Sequence, residues 1–287
     1  MSDADALERG LFFIVGTGRC GTTLLQAMLM SHPRLTIPPE TWFFCAWDPA
    51  MHGGDPLPDN IVTERYLSTL FGSVQWPELQ LDEAGFAEAV RAGDRSTRSI
   101  FLELLRRWSD RTGKPRAGEK TPLHLKHTGR ILEAFPHARF IHIYRDPRDV
   151  ALSMLEHRWS PLRLHRYARS WVKAMHRHRR LAEALGPEVY TGVRFEDLVT
   201  NPEPELRRLC SFLGEPFDDA MLHPERRSER GFSSRESDWK ELTMSPVTTA
   251  RIGRYRGKLS PRRVRTVERV VGPVLSEMGY QPDDGPP

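Results

Sequence analysis

Phe12-Phe13-Ile14-Val15-Gly16-Thr17-Gly18-Arg19-Cys20-Gly21-Thr22-Thr23-Leu24-Leu25 reads as a buried strand, a glycine turn and a helix start. Glycine lets a backbone approach an anion closely. The first N–H groups of a helix have no intrahelical partner and then point at that anion. Four residues separate Gly16 from Gly21, and Thr22-Thr23 follow. A nucleotide-hydrolysing loop of this spacing carries Lys and then Ser or Thr after its second glycine. Here Thr22 holds the lysine position, and the cation, Arg19, lies inside the loop. Such a loop suits a phosphate or sulfate held without the Lys and Mg2+ of an ATPase.

Downstream, Leu24, Leu25, Met28 and Leu29 give residues 22–30 an apolar helical face, and Ser31-His32-Pro33 stops the helix. Leu35-Thr36-Ile37 predicts a second strand, which ends at Pro38-Pro39 and delivers Glu40-Thr41 to a strand end. Helical patterns follow near 62–71, 83–92 and 98–112. Residues 116–119 lead into Lys120-Thr121-Pro122, with Lys120 expected in a loop, and a helix is expected near 128–135. Arg139-Phe140-Ile141-His142-Ile143-Tyr144 alternates as a strand. Arg145-Asp146-Pro147-Arg148-Asp149 opens a helix, with acids beside the positive end of its dipole.

Residues 162–185 predict a helix with Tyr167, Trp171, Ala174, His178 and Leu181 on one stripe. Arg166, Arg169, Lys173, Arg177 and Arg180 form another. A strand over 189–195 and helices over 204–213 and 262–278 complete the pattern, and Gly214 and Gly279 stop the two helices. Strands alternating with helices imply one α/β domain, with a P-loop-type central parallel sheet flanked by helices. Residues 226–260 lack periodicity and read as a long basic loop region.

The 287 residues suffice for one sizeable core, so a single domain over 1–287 is expected. Hydrophobic content of 39% and charged content of 28% suit a soluble globular protein, and no apolar run is long enough to span a membrane. Cys20, Cys45 and Cys210 are odd in number and far apart. They point to a reducing compartment rather than a disulfide framework or a zinc site. The acidic start of the chain lacks the basic and apolar regions of a signal peptide, so a cytoplasmic location is expected. The net charge of +4 is uneven: residues 158–182 hold eight Lys/Arg and no acid, and residues 226–265 hold twelve against four. Such fields attract nucleotides, nucleic acids, acidic peptides or membrane surfaces.

Ligands of open α/β sheets bind at the carboxyl ends of the strands. Three such ends carry chemistry here: residues 16–23, Glu40-Thr41, and residues 145–153. Arg145 leaves a strand and Ser153 lies eight residues on, which suits a second phosphate, separate from the first. Two anion grips on one nucleotide fit a 3′,5′-bisphosphate better than a triphosphate.

With these motifs the chain resembles the sulfotransferases that use 3′-phosphoadenosine 5′-phosphosulfate (PAPS), most nearly the tyrosylprotein sulfotransferases and their bacterial relatives. The resemblance spans about residues 11–280. It rests on the R-x-G-T-T-L-x-x-x-M-L-x-x-H-P pattern from Arg19 to Pro33, on Glu40-Thr41, and on Glu119-Lys120-Thr121-Pro122. It rests also on Arg145-Asp146-Pro147-Arg148 with Ser153, on Val193-Arg194-Phe195-Glu196-Asp197-Leu198, and on Pro246-Val247 before Arg254-Tyr255. The resemblance implies that Arg19, Gly21, Thr22 and Thr23 hold the 5′-phosphosulfate. Arg145 and Ser153 hold the 3′-phosphate, and Arg254 adds a nucleotide contact. Glu40 takes the acceptor's proton, and Lys120 and Arg19 stabilise charge on the transferring group. PAPS is the implied donor and PAP the product, with a hydroxyl-bearing acceptor (small metabolite, glycan, lipid or peptide tyrosine), no metal, no nucleic-acid partner, and a monomer or homodimer. Departures are Phe195, where the family often has Tyr, and His157, where the tyrosylprotein enzymes have Arg, with Arg158 beside it. Their catalytic serine has no secure match; Ser237 is near but shifted.

Alternatives stay open at this level. His124, four residues after Lys120, competes with Glu40 as the base, and Glu40 equally suits a helix cap near Trp42. Trp42, Phe43, Phe44 and Trp47 line an acceptor pocket or pack the core. A P-loop kinase or NTPase is the runner-up, and a nucleic-acid-binding protein using the basic helix is a third reading.

Overall fold

The computed structural model describes residues 7–156, 164–227 and 245–282. Its strands β1 (Phe12–Gly16), β2 (Leu35–Thr36), β3 (Arg116–Lys120), β4 (Arg139–Tyr144) and β5 (Tyr190–Arg194) form one parallel sheet in the order β2-β3-β1-β4-β5. β1 is central because it is apolar on both sides. Phe12 and Ile14 face one layer with Ile141, Ile143 and Val193. Phe13 and Val15 face the other with Phe140. Every residue of β1 is buried, the pattern of a strand covered on both faces.

On the Phe12 face lie α1 (Thr22–Met30), which returns from the glycine loop, and two later helices that contribute Leu198 and Leu206. The Phe13 face is covered by α2 (Asn60–Phe71), α3 (Glu83–Ala92) and α4 (Thr97–Thr112), which contribute Leu67, Phe86 and Phe101. Ring stacking of Phe13 on Phe101 and Phe140, at 5.9 and 5.5 Å, ties α4 to the centre of the sheet. α5 (Thr128–Ala134) leads into β4, and α6 (Pro147–Glu156) leaves it. α7 (Leu164–Leu185), α8 (Phe195–Thr200), α9 (Pro202–Leu213) and α10 (Pro261–Leu275) follow, and α7 packs on α10.

The strand–helix alternation is as expected, with local differences. β3 was expected to lead into a loop, yet it is a strand and Lys120 is its last residue. The predicted strand over 189–195 gives up Phe195, which opens α8, and the last helix becomes a 3-10 turn at Ser276–Met278. The expected helix near Trp42 is a single π-turn, Phe43–Trp47. The start of the 162–185 helix and residues 228–244 of the 226–260 loop lie outside the described residues, as do His157, Arg158 and Ser237.

β4, α7 and β5 enclose a buried polar ring. Tyr190 Oη lies 2.9 Å from His142 Nδ1 and 3.0 Å from His178 Nδ1, and the two imidazoles are 3.0 Å apart. Burial holds the His178 imidazole down to about 4 and that of His142 well below its ordinary value, the neighbouring His178 adding to the latter. An unfolded chain takes up protons at these groups near pH 6.5, before the folded one does. Stability is therefore full above about pH 6.5 and lost as pH falls toward 4, by at most about 1.4 kcal/mol per pH unit per group. Urea midpoints measured from neutral pH downward are expected to fall through this window, and His178→Asn to flatten the fall. A wild-type midpoint that is constant from pH 6.5 to 4.5 contradicts it.

Candidate active site

β1, β3 and β4 end side by side, and each end delivers chemistry. After Gly16 the loop turns with Arg19 at φ 70° and Gly21 at φ 105°, both in the left-handed region. Gly21 is required there on two counts. Its φ suits glycine, and an added Cβ would lie 2.5 Å from the Phe195 ring. We expect Gly21→Ala to cost at least about 2 kcal/mol and to lower Tm by roughly 3 °C or more, read by thermal unfolding. An unchanged Tm would contradict this tight packing. Gly21 is the N-cap of α1 and no side chain caps the helix, so its first N–H groups lack an intrahelical or capping partner. Cys20 is not a reactive thiol: Sγ donates to Thr17 O at 2.6 Å, and burial pushes its pKa up to about 11.

A cavity of about 560 Å³ lies over these ends. It is within the range of small-molecule sites. Arg19, Gly21, Thr22, Thr23, Glu40, Arg145 and Ser153, all expected from sequence, line it. Arg19 Nε donates to Ser153 Oγ at 3.1 Å, which ties the glycine loop to α6, so the two expected anion grips border one cavity. Arg145 is buried with its guanidinium over the Phe195 ring at 4.4 Å. One of its terminal nitrogens donates to Arg251 O, and Asp149 lies 3.7 Å from it, while Nε has no partner among the described residues.

Glu40 reaches the cavity from the segment after β2. Lys120 Nζ, wholly buried at the end of β3, donates to its Oε1 at 2.6 Å. Beneath this pair lies a carboxylate that sequence reasoning did not single out. Glu119 accepts from Thr41 Oγ1 at 2.9 Å, Thr121 Oγ1 at 2.6 Å and His124 Nδ1 at 2.7 Å. Burial works against its charge, but the facing His124 and the two hydroxyls hold it below the usual carboxylate range. It thus locks the neighbours of Glu40 and Lys120 to one another. The signal in the sequence was its place beside Lys120.

Two expectations are corrected by this geometry. The His124 ring is wholly buried and does not line the cavity. Its Nδ1 is engaged by Glu119, and its Nε2 accepts from the Phe44 N–H at 3.2 Å, which leaves no nitrogen for an acceptor's proton. Arg254 pairs with Glu156 at 2.7 Å and is not among the lining residues; Arg251 is. The 253–255 turn is instead held by Asp149, which accepts from the Gly253 and Tyr255 N–H groups at 2.7 and 2.9 Å. The aromatic run divides: Trp42 lines the cavity, whereas Phe43 and Phe44 are core.

The donor set fits a nucleotide with two anionic ends. A buried Arg145 Nε with no partner among the described residues, an uncapped helix N-terminus, and space within 4 Å of a Cβ built at Gly18 all suit anions. Phe195, Pro246 and Val247 supply an apolar wall to the same cavity.

Residues 12–219 match the family described as "Sulfotransferase family". Among curated proteins the chain is 27% identical to a protein-tyrosine sulfotransferase of Drosophila melanogaster over 98% of its own length and 53% of that protein's. It is 28% identical to protein-tyrosine sulfotransferase 1 of Danio rerio, covering 96% of this chain and 74% of that one. The chain thus spans about half the length of the first of these relatives and about three quarters of the second. A solved sulfotransferase domain from the Synechococcus PCC 7002 olefin synthase shares the fold, with a TM-score of 0.67, 23% identity, and coverage of 90% of this chain and 93% of that one.

Proposed function

The chain belongs to the sulfotransferase family, and from that premise we propose that it transfers the sulfuryl group of PAPS to an acceptor hydroxyl. The observation that carries the proposal is a single cavity. It joins the glycine-loop grip, the Arg145 grip and a carboxylate paired with a buried lysine.

Bound PAPS supplies an electrophilic sulfur bonded to a good leaving group, the 5′-phosphate of PAP. The chain's part is alignment and charge stabilisation, as in phosphoryl transfer. Thr22, Thr23 and the first N–H groups of α1 hold the 5′ end. Arg145, with Nε to spare, and Ser153 hold the 3′-phosphate. Glu40 takes the acceptor's hydroxyl proton as the acceptor oxygen bonds to sulfur. The S–O bond to the 5′-phosphate breaks, and its electron pair goes to that phosphate. Arg19 offsets the charge that develops on the departing phosphate, and the positive charge of Lys120, buried outside the cavity lining and bonded to Glu40, supports it from behind. Glu119 is a positioning residue that keeps the Glu40 and Lys120 segments in register.

The test is PAP release from PAPS with a panel of phenols, sugars, hydroxy lipids and tyrosyl peptides. Release that depends on acceptor and on Glu40 supports the reading. ATP hydrolysis or ATP-dependent phosphorylation in its place would return the chain to the kinase class.

A further inference from the structure

The donor cavity opens into a second, larger one of about 970 Å³ that runs along α7. Gly18, Leu123, Met154, Arg166, Tyr167 and Ser170 line both, so the two spaces meet beside the glycine loop. Seven Lys and Arg side chains line the larger space, and no Asp or Glu does. Its floor is apolar: Leu125, Val150, Met154, Trp171 and Ala174 are buried. Its rim is cationic: Lys126, Arg166, Arg169, Lys173 and Arg180 are exposed, with no acidic partner among the described residues. Arg177 donates to Leu125 O at 3.1 Å and so ties the helix to the opposite wall.

This arrangement costs the free protein something. Arg169, Lys173 and Arg177 repeat at i, i+4 on one helix face, where like charges repel by a few tenths of a kcal/mol per pair. An anion on the rim relieves that repulsion. A highly charged polymer would meet the rim but leave the Trp171–Leu125 floor unfilled. A ligand that is apolar along its body and anionic at its end uses both.

We propose that this groove holds the non-reacting part of the acceptor, and that the acceptor is an amphiphilic anion. Its hydroxyl lies where the two cavities meet, its apolar body lies on the α7 floor, and its terminal carboxylate or sulfate lies on the rim. The proposal rests on the sulfuryl-transfer reading above. Lys173 is seven residues beyond Arg166 and Arg180 fourteen, about 10 and 21 Å along the helix axis. The anion therefore sits roughly 10–20 Å from the reacting hydroxyl, too far for a short hydroxy acid.

The experiment is calorimetric titration of the PAP-loaded protein with hydroxyl-terminated fatty acids, from hexanoate to hexadecanoate, and with their methyl esters, all at sub-micellar concentration. Affinity is expected to rise with chain length, and the longer acids to bind about tenfold tighter than their esters. In the Lys173→Glu/Arg180→Glu double variant that advantage is expected to disappear. Equal binding of acid and ester in the wild type overturns the proposal. So does a sulfated tyrosyl peptide whose uptake needs Lys173 and Arg180 while the fatty acids fail to bind. Sulfated product formed from PAPS is read separately. If PAP does not bind, the reaction reading fails, and titration of the unloaded protein still decides the groove.

Discussion

Glu40→Gln is expected to lower kcat for sulfuryl transfer roughly 10²–10⁴-fold, the ordinary contribution of a positioned base, with PAP affinity within about twofold of wild type. The amide keeps the shape of the side chain and an oxygen that can still accept from Lys120 Nζ, now 2.6 Å from Glu40 Oε1. The fold and the glycine loop are therefore undisturbed, and what is removed is the capacity to take a proton. Single-turnover rates with saturating PAPS and acceptor read the chemical step, and PAP titration reads the site. A matching loss of PAP affinity would make Glu40 a donor-site residue. Full activity would leave the reaction without the base assigned here, since both His124 nitrogens are occupied by Glu119 and Phe44.

Arg145→Ala is expected to act on the other half of the cycle, weakening PAP binding about tenfold to a hundredfold. A hydrogen bond from a charged group contributes about 1.5–3 kcal/mol, and each 1.4 kcal/mol is a factor of ten. Arg145 is buried over Phe195, where solvent screens its charge little, and its Nε has no protein partner among the described residues. Arg145→Lys should recover only part of the loss, because a lysine keeps the charge but not the planar fork that stacks on Phe195. Calorimetry with PAP, and with adenosine 5′-phosphate in its place, separates the grips. The variant should lose affinity for the bisphosphate far more than for the monophosphate. Equal losses would remove Arg145 from the 3′ end.

The glycine loop, Arg145-Asp146-Pro147 and Glu40-Thr41 were legible in the sequence because glycine, proline and strand-end chemistry act locally. β1 and β4 announced themselves as runs of apolar and β-branched residues. β3 did not. Arg116-Ala117-Gly118-Glu119-Lys120 has the composition of a loop, yet four of its five residues are buried. Its charges are satisfied across the fold, Glu119 by Thr41, Thr121 and His124, and Lys120 by Glu40. Partners that lie far apart in sequence leave no periodic trace, which is why Lys120 was expected in a loop and His124 as a rival base. The same blindness applies to Arg254. Its motif sits at the expected place, but Glu156 claims its guanidinium, while Arg251, three residues earlier, reaches the cavity. The basic stripe of α7 was visible from its spacing. That it borders a groove continuous with the donor site was not, because the apolar floor combines Leu125, Val150 and Trp171 from three separate segments.

Thermal unfolding with PAP, with ATP plus Mg2+, and without ligand tests the central claim most directly. A ligand that binds the native state alone, at about 100 times its dissociation constant, adds about 2.7 kcal/mol. For a chain of this size that is a rise in Tm of roughly 4–5 °C. The account predicts this rise with PAP and none with ATP plus Mg2+, and its fall to about half or less in Arg145→Ala at the same PAP concentration. A rise with ATP plus Mg2+ alone, or none with either ligand, would contradict it.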